Sequence, residues 1–304
     1  MKFAPIVVFT YNRLSHTKKL LFSLSECEDF NKSKLFIYAD GFKKDNLKDK
    51  KKVLEVKKEL KKFKRKYKNT SIIYAKKNFG LYKNLTNGIS KILAKYPRAI
   101  ILEDDLVLDK NFINYMNKSL VIYEKNRRVL QITGYCYPVN YKKKNAYFLN
   151  LTSCWGWATW RNRWFEFIDF VRNKSLIDEI YKKIQTNPKL KYDFNIQGSF
   201  NYFNLLRKQI NSNFNSWGVL FYLFSFYKKN LNLFPPYNLV NNIGFDGSGA
   251  HKSTSNIFNS QKKKISKTIV YPKILKKDDK MLESISYFLN KELNFINKIV
   301  NFIS

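Results

Sequence analysis

The 304-residue sequence lacks any run of about 18 consecutive apolar residues, so no membrane-spanning helix is predicted. Cysteine is also scarce. The three cysteines, Cys27, Cys136 and Cys154, show no CxxC or other metal-type spacing, so neither a disulfide framework nor a zinc site is indicated. The apolar run near the N-terminus is too short for a secretory signal and continues into an expected strand, so we expect a cytoplasmic protein.

Acidic residues are few: 23 Asp and Glu stand against 57 Lys and Arg, which gives a formal net charge of +34. Such a charge favours anionic partners, namely nucleic acid, anionic lipid or nucleotides. The sequence has no RNP-like, zinc-finger or helix-turn-helix signature, so nucleic acid is not the expected partner. The segment Lys43–Lys68 concentrates the charge, with fourteen basic and four acidic residues in a helical pattern.

What is present in the first third is an alternation of short apolar runs with helical patterns. This order predicts a mostly parallel sheet flanked by helices, an α/β fold of Rossmann-like type. Arg13, Asp40 and Asn78 follow expected strands and would therefore lie at the carboxyl edge of the sheet. The expected strands are Ile6–Thr10, Lys34–Ala39, Thr70–Ala75 and Ile100–Leu102, and the expected helices are one capped by Ser15, the basic segment and Lys83–Lys95.

The sequence as a whole predicts one domain over residues 1–251. Its nucleotide-binding half is expected at 1–109 and its acceptor half at 110–251. A basic tail at 252–304 follows, loosely ordered to Lys280 and then an amphipathic helix over Met281–Ser304. That helix and the basic segment Lys43–Lys68 would dock on an anionic membrane; the alternative for the C-terminal helix is packing on its own domain or on a second subunit. Further expected elements are a helix over Lys110–Asn126, a strand over Val129–Thr133, a buried helical stripe from Trp157 to Trp164 and a short strand within Leu233–Ile243.

Three adjacent acids, Glu103, Asp104 and Asp105, end the apolar strand that begins at Ala99. Neighbouring carboxylates repel one another unless a cation, a proton or hydrogen-bond donors compensate. A divalent metal of the Mg²⁺ or Mn²⁺ kind is the favoured compensator, because such ions take one or two protein carboxylates together with substrate phosphates. The alternative is a solvated acidic turn.

Six segments, in order, resemble bacterial glycosyltransferases of the GT-A fold. The similarity is to family 2 enzymes and to the N-acetylglucosaminyltransferase I type, which carries EDD in place of DxD. It covers the chain from about Phe3 to His251 and implies a divalent metal and a nucleotide-sugar donor. The segments are VVFTYNRLSHTKKLL, IYADG, KKNFGLYKNLTNGI, IILEDDLVLDKNFINYM, CWGWATWRNRW and NNIGFDGSGAH.

The resemblance implies a role for each acid. Asp105 would be the direct metal ligand and a catalytic residue, while Glu103 and Asp104 would hold the donor ribose and sugar. Asp40 matches the position that accepts a base N–H, although an Asp-Gly turn explains it as well. His251 would complete the metal or phosphate shell, with an exposed loop histidine as the alternative.

Other donor-binding candidates lie on the first loop and on the third helix. Thr10, Asn12 and Arg13 match the loop that faces the nucleotide, and Arg13 offers a fork to phosphate. Its alternative role is to cap the following helix. Lys83 would lie near the diphosphate and Asn87 one turn later on the same helix face.

The acceptor side is less defined. Trp155, Gly156 and Trp157 would form a wall against which a sugar ring stacks, with core packing as the alternative. An inverting transfer requires a carboxylate base, and Asn215 stands where relatives often have an acid. Asp246 is the favoured base, with Asp193 or Glu166, or an impaired enzyme, as the alternatives.

The sequence thus favours a metal-dependent, inverting glycosyltransferase acting on a glycan, a lipid-linked saccharide or a surface polysaccharide precursor of the cell envelope. We expect it in the cytoplasm, peripheral on the inner face of the membrane, in an oligomeric state that the sequence does not indicate. Two alternatives are a basic nucleic-acid-binding protein and a sugar-phosphate nucleotidyltransferase. The latter would need a glycine-rich, basic loop after the first strand, where TYNRLSH stands.

Overall fold

The computed structural model describes residues 2–141, 143–212, 215–248, 257–258 and 268–303, with side chains to residue 292. Strand and helix alternate in the first third, as predicted. The predicted N-cap Ser15 is wrong, because the first helix begins at Leu14 and Ser15 lies inside its first turn. The elements are β1 (Ile6–Thr10), α1 (Leu14–Ser25), β2 (Leu35–Ala39), α2 (Leu47–Lys66), β3 (Thr70–Tyr74), α3 (Gly80–Lys95), β4 (Arg98–Glu103) and β5 (Leu106–Leu108).

The second half contains more helices than strands. One expectation is wrong: Trp157–Trp160 form a strand rather than a turn of helix, and the helix that follows begins at Arg161. The elements are α4 (Phe112–Ile122), β6 (Val129–Thr133), β7 (Tyr147–Leu149), β8 (Trp157–Trp160), α5 (Arg161–Arg172), α6 (Lys174–Thr186), α7 (Pro188–Phe194), α8 (Tyr202–Asn211), α9 (Trp217–Tyr227), β9 (Leu231–Phe234), β10 (Val240–Asn242) and α10 (Asp279–Ile303).

Within the described residues, eight strands form one sheet in the order β3-β2-β1-β4-β8-β6-β9-β7. The strands β3, β2, β1 and β4 run parallel to one another, and β6 runs parallel to β9. β8 is antiparallel to its neighbours β4 and β6, and β7 is antiparallel to β9. The predicted α/β class with a mostly parallel sheet flanked by helices is therefore confirmed. β10 pairs antiparallel with β5 beside the main sheet, which brings the segment after β10 to the acids after β4.

Alternate residues of the buried strands face two separate cores. In β1, Val7 and Phe9 pack with the helices α3, α5 and α9, whereas Ile6 and Val8 pack with α1, α2 and α4. This period of two is the pattern of a strand buried on both faces. Layers on both faces hold the strand ends of β1 and β4 in fixed register.

The described part of the C-terminal region packs on the same body. Residues 268–280 are not loose: Ala146 N donates to Val270 O at 2.9 Å and Asp278 N donates to Phe148 O at 2.9 Å. In α10, four apolar side chains are buried in the core, namely Met281, Leu282, Ile285 and Leu289. The amphipathic helix thus packs on its own domain as far as its side chains are described. None of the described helices combines the length and apolar character needed to cross a bilayer.

Candidate functional site

The acids after β4 meet an arginine after β1. Because β1 and β4 are parallel neighbours, their carboxyl ends lie together. The Arg13 guanidinium donates through Nη2 to Asp104 Oδ1 and, at 3.0 Å, to Asp105 Oδ2. Asp104 Oδ2 also accepts the Tyr11 N–H at 3.4 Å. Arg13 is therefore the cation that compensates this acidic cluster within the protein, a pairing that the sequence did not predict.

Burial and charge together shift the ionisation of this cluster. Burial lowers the pKa of Arg13, but the carboxylates of Asp104 and Asp105 outweigh it and raise the pKa overall. Burial raises the pKa of Asp104 against the opposing effect of Arg13. Burial, with the charges of Asp105 and Asp104, raises the pKa of Glu103 to about 8. The two aspartates share the arginine, whereas Glu103 makes no ion pair with it.

The segment after β10 closes on Asp105. Ile243 N donates to Asp105 O at 2.8 Å, which continues the β10–β5 pairing. A Cβ at Gly244 would collide with Asp105 Oδ2, so only glycine allows this approach. Gly244 N donates to Asn242 Oδ1 at 2.7 Å, which fixes the turn. The glycine of NNIGFDG thus makes room beside a carboxylate that the sequence places 139 residues earlier.

Asp246 lies on this segment and is held by α1. His16 Nε2 lies 3.2 Å from Asp246 Oδ2 and 3.2 Å from Ile243 O. Ser248 donates to Asp246 Oδ1 through N at 3.0 Å and Oγ at 2.6 Å. These hydrogen bonds from Ser248, with the nearby His16, lower the pKa of Asp246. The contact of His16 with Asp246 was not predicted from the sequence. His251, which was predicted together with Asp105 to bind the metal, lies outside the described residues.

The other two base candidates lie in exposed ion pairs. Lys189 Nζ is 2.9 Å from Asp193 Oδ1, and Lys228 Nζ is 3.0 Å from Glu166 Oε1. Among the described residues, no hydrogen bond or ion pair joins either acid to the carboxyl edge of β1 and β4. Asp246 is the one of the three candidates that the structure brings near the Asp105 turn.

Asp40 lies at the end of β2, beside β1, and its carboxylate caps α3. Oδ1 accepts the backbone N–H of Gly41 and of Phe79, both at 2.9 Å. Oδ2 accepts the Gly80 N–H at 3.0 Å and Asn78 Nδ2 at 3.2 Å. These four hydrogen bonds give Asp40 a structural role, because they fix the turn that begins α3. Its binding of a nucleotide base stays a prediction.

A second acid, Asp49, holds the β1–α1 loop and was missed. Its carboxylate accepts Tyr11 Oη at 2.5 Å, Asn12 Nδ2 at 2.6 Å and the Lys43 N–H at 2.7 Å. Burial raises the pKa of Asp49, but these hydrogen bonds outweigh it, so that the pKa lies below its usual value. The signal in the sequence is the Asn46–Asp49 spacing, because Asn46 Oδ1 accepts the Asp49 N–H as an N-cap.

The predicted aromatic wall divides into a core residue and a site residue. Trp157 is 0% exposed and stacks on Trp217, so its place in an exposed sugar wall is wrong. Trp155 is half-buried and makes an edge contact with Phe245 on the segment after β10, with ring centroids 5.5 Å apart. Gly156 has a φ of +59° and carries no side chain into the site. Of the three predicted wall residues, Trp155 is the one that contacts the segment after β10.

Of the remaining donor-binding candidates, the two on α3 are exposed and the one at the end of β1 is buried. Lys83 and Asn87 both face solvent. Thr10, the last residue of β1, is 3% exposed, and its Oγ1 has no hydrogen-bond partner among the described residues. The Thr10 hydroxyl is thus one of several buried polar atoms of the described residues that have no hydrogen-bond partner.

The acids of this site offer few ligands for a metal ion. Among the described residues, no three side chains of His, Cys, Asp or Glu group together so as to hold a metal. A cation of the Mg²⁺ kind needs only one or two carboxylates when phosphates and water complete its shell. Asp105 fits this pattern through its Oδ1, which makes no hydrogen bond within the described chain, whereas its Oδ2 accepts from Arg13 and lies against Gly244. Asp104 is less suited, since both of its oxygens are engaged.

Neither a protein-family profile nor a curated protein sequence matches this chain. Among solved structures, it is similar to a mannosyltransferase from Pyrobaculum calidifontis in complex with GDP-Man and Mn²⁺ (11% identity, TM-score 0.39, 55% of this chain and 46% of the other). It is also similar to GalNAc-T7 with UDP, GalNAc and Mn²⁺ (13%, 0.40, 54% and 36%). A third similar structure is TarS from S. aureus (10%, 0.40, 78% and 59%). The chain matches less than two thirds of the length of each.

Proposed function

We propose that this chain is a GT-A-type glycosyltransferase that transfers a sugar from a nucleotide-sugar donor to an acceptor hydroxyl group. The observation that carries the proposal is the Arg13–Asp104–Asp105 cluster at the joined carboxyl ends of β1 and β4. In a sheet of this kind, ligands bind at that edge. The motif order described above, which resembles bacterial members of this class, supports the same function.

Donor binding is assigned to residues 1–109 and acceptor binding to residues 110–251. A divalent cation, Mn²⁺ or Mg²⁺, would be held by Asp105 and would neutralise charge that develops on a diphosphate leaving group. Arg13 holds the carboxylates of Asp104 and Asp105 in place, and the Thr10 hydroxyl, which has no hydrogen-bond partner among the described residues, lies buried at the end of β1. The Asp49 carboxylate fixes the loop that carries these groups.

Asp246 is proposed as the base of an inverting transfer. Like any exposed aspartate, it is ionised at neutral pH and so could accept the proton of the attacking hydroxyl, although its lowered pKa makes it a weaker base than an unperturbed carboxylate. His16 and Ser248 hold its two oxygens in a fixed direction. Trp155 would offer a flat face to the acceptor sugar. The acceptor is proposed to be a glycan, a lipid-linked saccharide or a surface polysaccharide precursor, met on the inner face of the cytoplasmic membrane.

A donor-hydrolysis screen tests the function directly. The full chain is incubated with common uridine, guanosine, thymidine and cytidine nucleotide sugars, with Mn²⁺, with Mg²⁺ and with a chelator. We expect metal-dependent hydrolysis of at least one donor, lowered roughly a hundredfold or more by Asp105→Asn because the charge that faces the diphosphate is lost.

The matched control is Asp169→Asn, because Asp169 is an exposed carboxylate on α5 that pairs with its helix neighbour Arg172. It should hydrolyse the donor at the wild-type rate. Hydrolysis that survives Asp105→Asn, or a chain inert toward every donor while it binds DNA with sequence preference, would overturn the proposed function.

A further inference from the structure

The outer face of α2 carries a regular stripe that the proposed site does not use. The inner face of α2 is buried through Val53, Val56 and Leu60. Spacings of three and four residues on the opposite side place six exposed side chains in one row. In order along the helix, they are Leu47, Lys51, Leu54, Lys58, Lys61 and Arg65.

Two leucines in this outer row are open to solvent. Leu47 is 81% exposed and Leu54 is 50% exposed, and they lie two turns apart on the same face. Single exposed apolar residues are ordinary on protein surfaces. A pair aligned in a row whose other four members are lysine and arginine is instead the pattern of a helix that lies in a membrane interface.

The charge of α2 is largely uncompensated. The helix contains eleven Lys and Arg residues against three acids. Asp49 is turned inward to Tyr11, and Glu59 lies 3.9 Å from Lys18 on α1, which leaves Glu55 as the one acid of the helix without a contact of this kind in the described chain. The outer face is therefore strongly cationic over its whole length.

The cationic face continues into a groove beside the edge of the sheet. β3 is the outermost strand, and its Ile72 and Tyr74 form an apolar floor of a groove of about 380 Å³. The basic side chains that line it are Lys61, Lys64, Arg65 and Lys68. Several cations above an apolar floor suit a phosphate headgroup attached to an acyl chain.

We propose that the outer face of α2, with the β3 groove, docks this protein on an anionic lipid bilayer. Leu47 and Leu54 enter the headgroup region, and the lysines contact lipid phosphates. Only one of the eleven basic residues of α2 is arginine, the side chain that reads base edges and phosphates through a rigid fork. Lysines with aligned leucines favour a bilayer over nucleic acid.

Docking places the candidate site close to the membrane. The first turn of α2 holds the β1–α1 loop through Asp49, and the same turn begins with the exposed Leu47. The inner side of one helical turn therefore supports the site while its outer side faces the bilayer. The docking itself is independent of sugar transfer, so that it stands or falls separately from the proposed function.

Vesicle flotation of the full chain tests the docking. The vesicles are phosphatidylcholine alone or phosphatidylcholine with a third phosphatidylglycerol. We expect flotation only with the anionic vesicles and release at high salt, because screening weakens contacts between exposed charges. The triple variant Lys51→Glu, Lys58→Glu, Lys61→Glu should bind at least about tenfold more weakly, and Leu47→Ser with Leu54→Ser about tenfold more weakly.

Matched controls separate the α2 face from net charge and general apolarity. Lys174→Glu, Lys182→Glu, Lys183→Glu makes the same charge change on exposed positions of α6, and Val121→Ser with Ile122→Ser removes two exposed apolar side chains of α4. Both controls should float like the wild type. Equal loss in the α6 and α2 charge variants, equal binding to neutral vesicles, or preference for duplex DNA over anionic vesicles would overturn the docking surface.

Discussion

At the scale of single residues, Arg13 decides the electrostatics of the candidate site. Its guanidinium bridges two carboxylates that are themselves largely buried, with side chains 6% and 17% exposed for Asp104 and Asp105. Removing one partner of such a group leaves uncompensated charge away from water. The acids would then be held only by the Tyr11 N–H and by whatever ligand the site binds.

We therefore expect Arg13→Met to lower the free energy of unfolding by roughly 2–4 kcal/mol at neutral pH. Chemical denaturation measures the loss. The control Arg172→Met breaks the exposed Arg172–Asp169 pair and should change stability by less than about 0.5 kcal/mol. Equal losses in the two variants would show that Arg13 is not the compensating cation.

Asp49 links the site loop to pH. Its folded pKa is below the unfolded value of about 3.9, so its contribution to stability is fully present above that value. The contribution is lost as the pH falls through the lower folded pKa. The group that holds the carboxylate most directly is the Tyr11 hydroxyl, at 2.5 Å.

Tyr11→Phe should therefore destabilise the protein by roughly 1–3 kcal/mol at about pH 7, with the difference shrinking below about pH 4. Denaturation curves at several pH values measure this. Tyr287→Phe is the control, because Tyr287 is 72% exposed, and it should leave stability unchanged at every pH. A Tyr11→Phe deficit that stays constant down to about pH 3 would contradict the role given to Asp49.

At the scale of elements, α10 is part of the body rather than an appended tail. Ile285 is fully buried and packs in the same core as α5 and α9. The periodicity of the sequence predicted the helix but left open what its apolar face contacts, because an amphipathic helix suits a membrane and a protein core equally well. The partner is set by the tertiary fold, which local pattern does not contain.

We expect Ile285→Ala to destabilise the whole domain by roughly 2–4 kcal/mol, because a buried aliphatic side chain leaves a cavity. Thermal or chemical denaturation followed by tryptophan fluorescence measures it. Glu283→Ala, at an exposed position of the same helix, should be nearly neutral. If Ile285→Ala were also neutral while the transition stayed cooperative, α10 would not belong to the core.

At the scale of the whole molecule, local pattern predicted the α/β class and the placement of the first four strands. β1 and β4 were expected as parallel strands, so Arg13 and the three acids were expected at one edge. The direct ion pairs of Arg13 with Asp104 and Asp105 were not expected. They join residues that are 91 and 92 positions apart in the sequence, and local sequence patterns do not predict such distant contacts. The strand Trp157–Trp160 was missed for a related reason: pairing with β4 and β6 overrides a helical spacing of tryptophans.

The central claim is that the Asp105 edge binds a nucleoside diphosphate together with a divalent cation. Calorimetric titration of the full chain with uridine and guanosine diphosphates, with and without Mn²⁺, measures this directly. We expect one diphosphate to bind at least about tenfold more tightly with Mn²⁺, with the gain lost in Asp105→Asn and kept in Asp169→Asn. Affinity that is the same with and without Mn²⁺ for both diphosphates, or a gain that Asp105→Asn leaves intact, would contradict the claim.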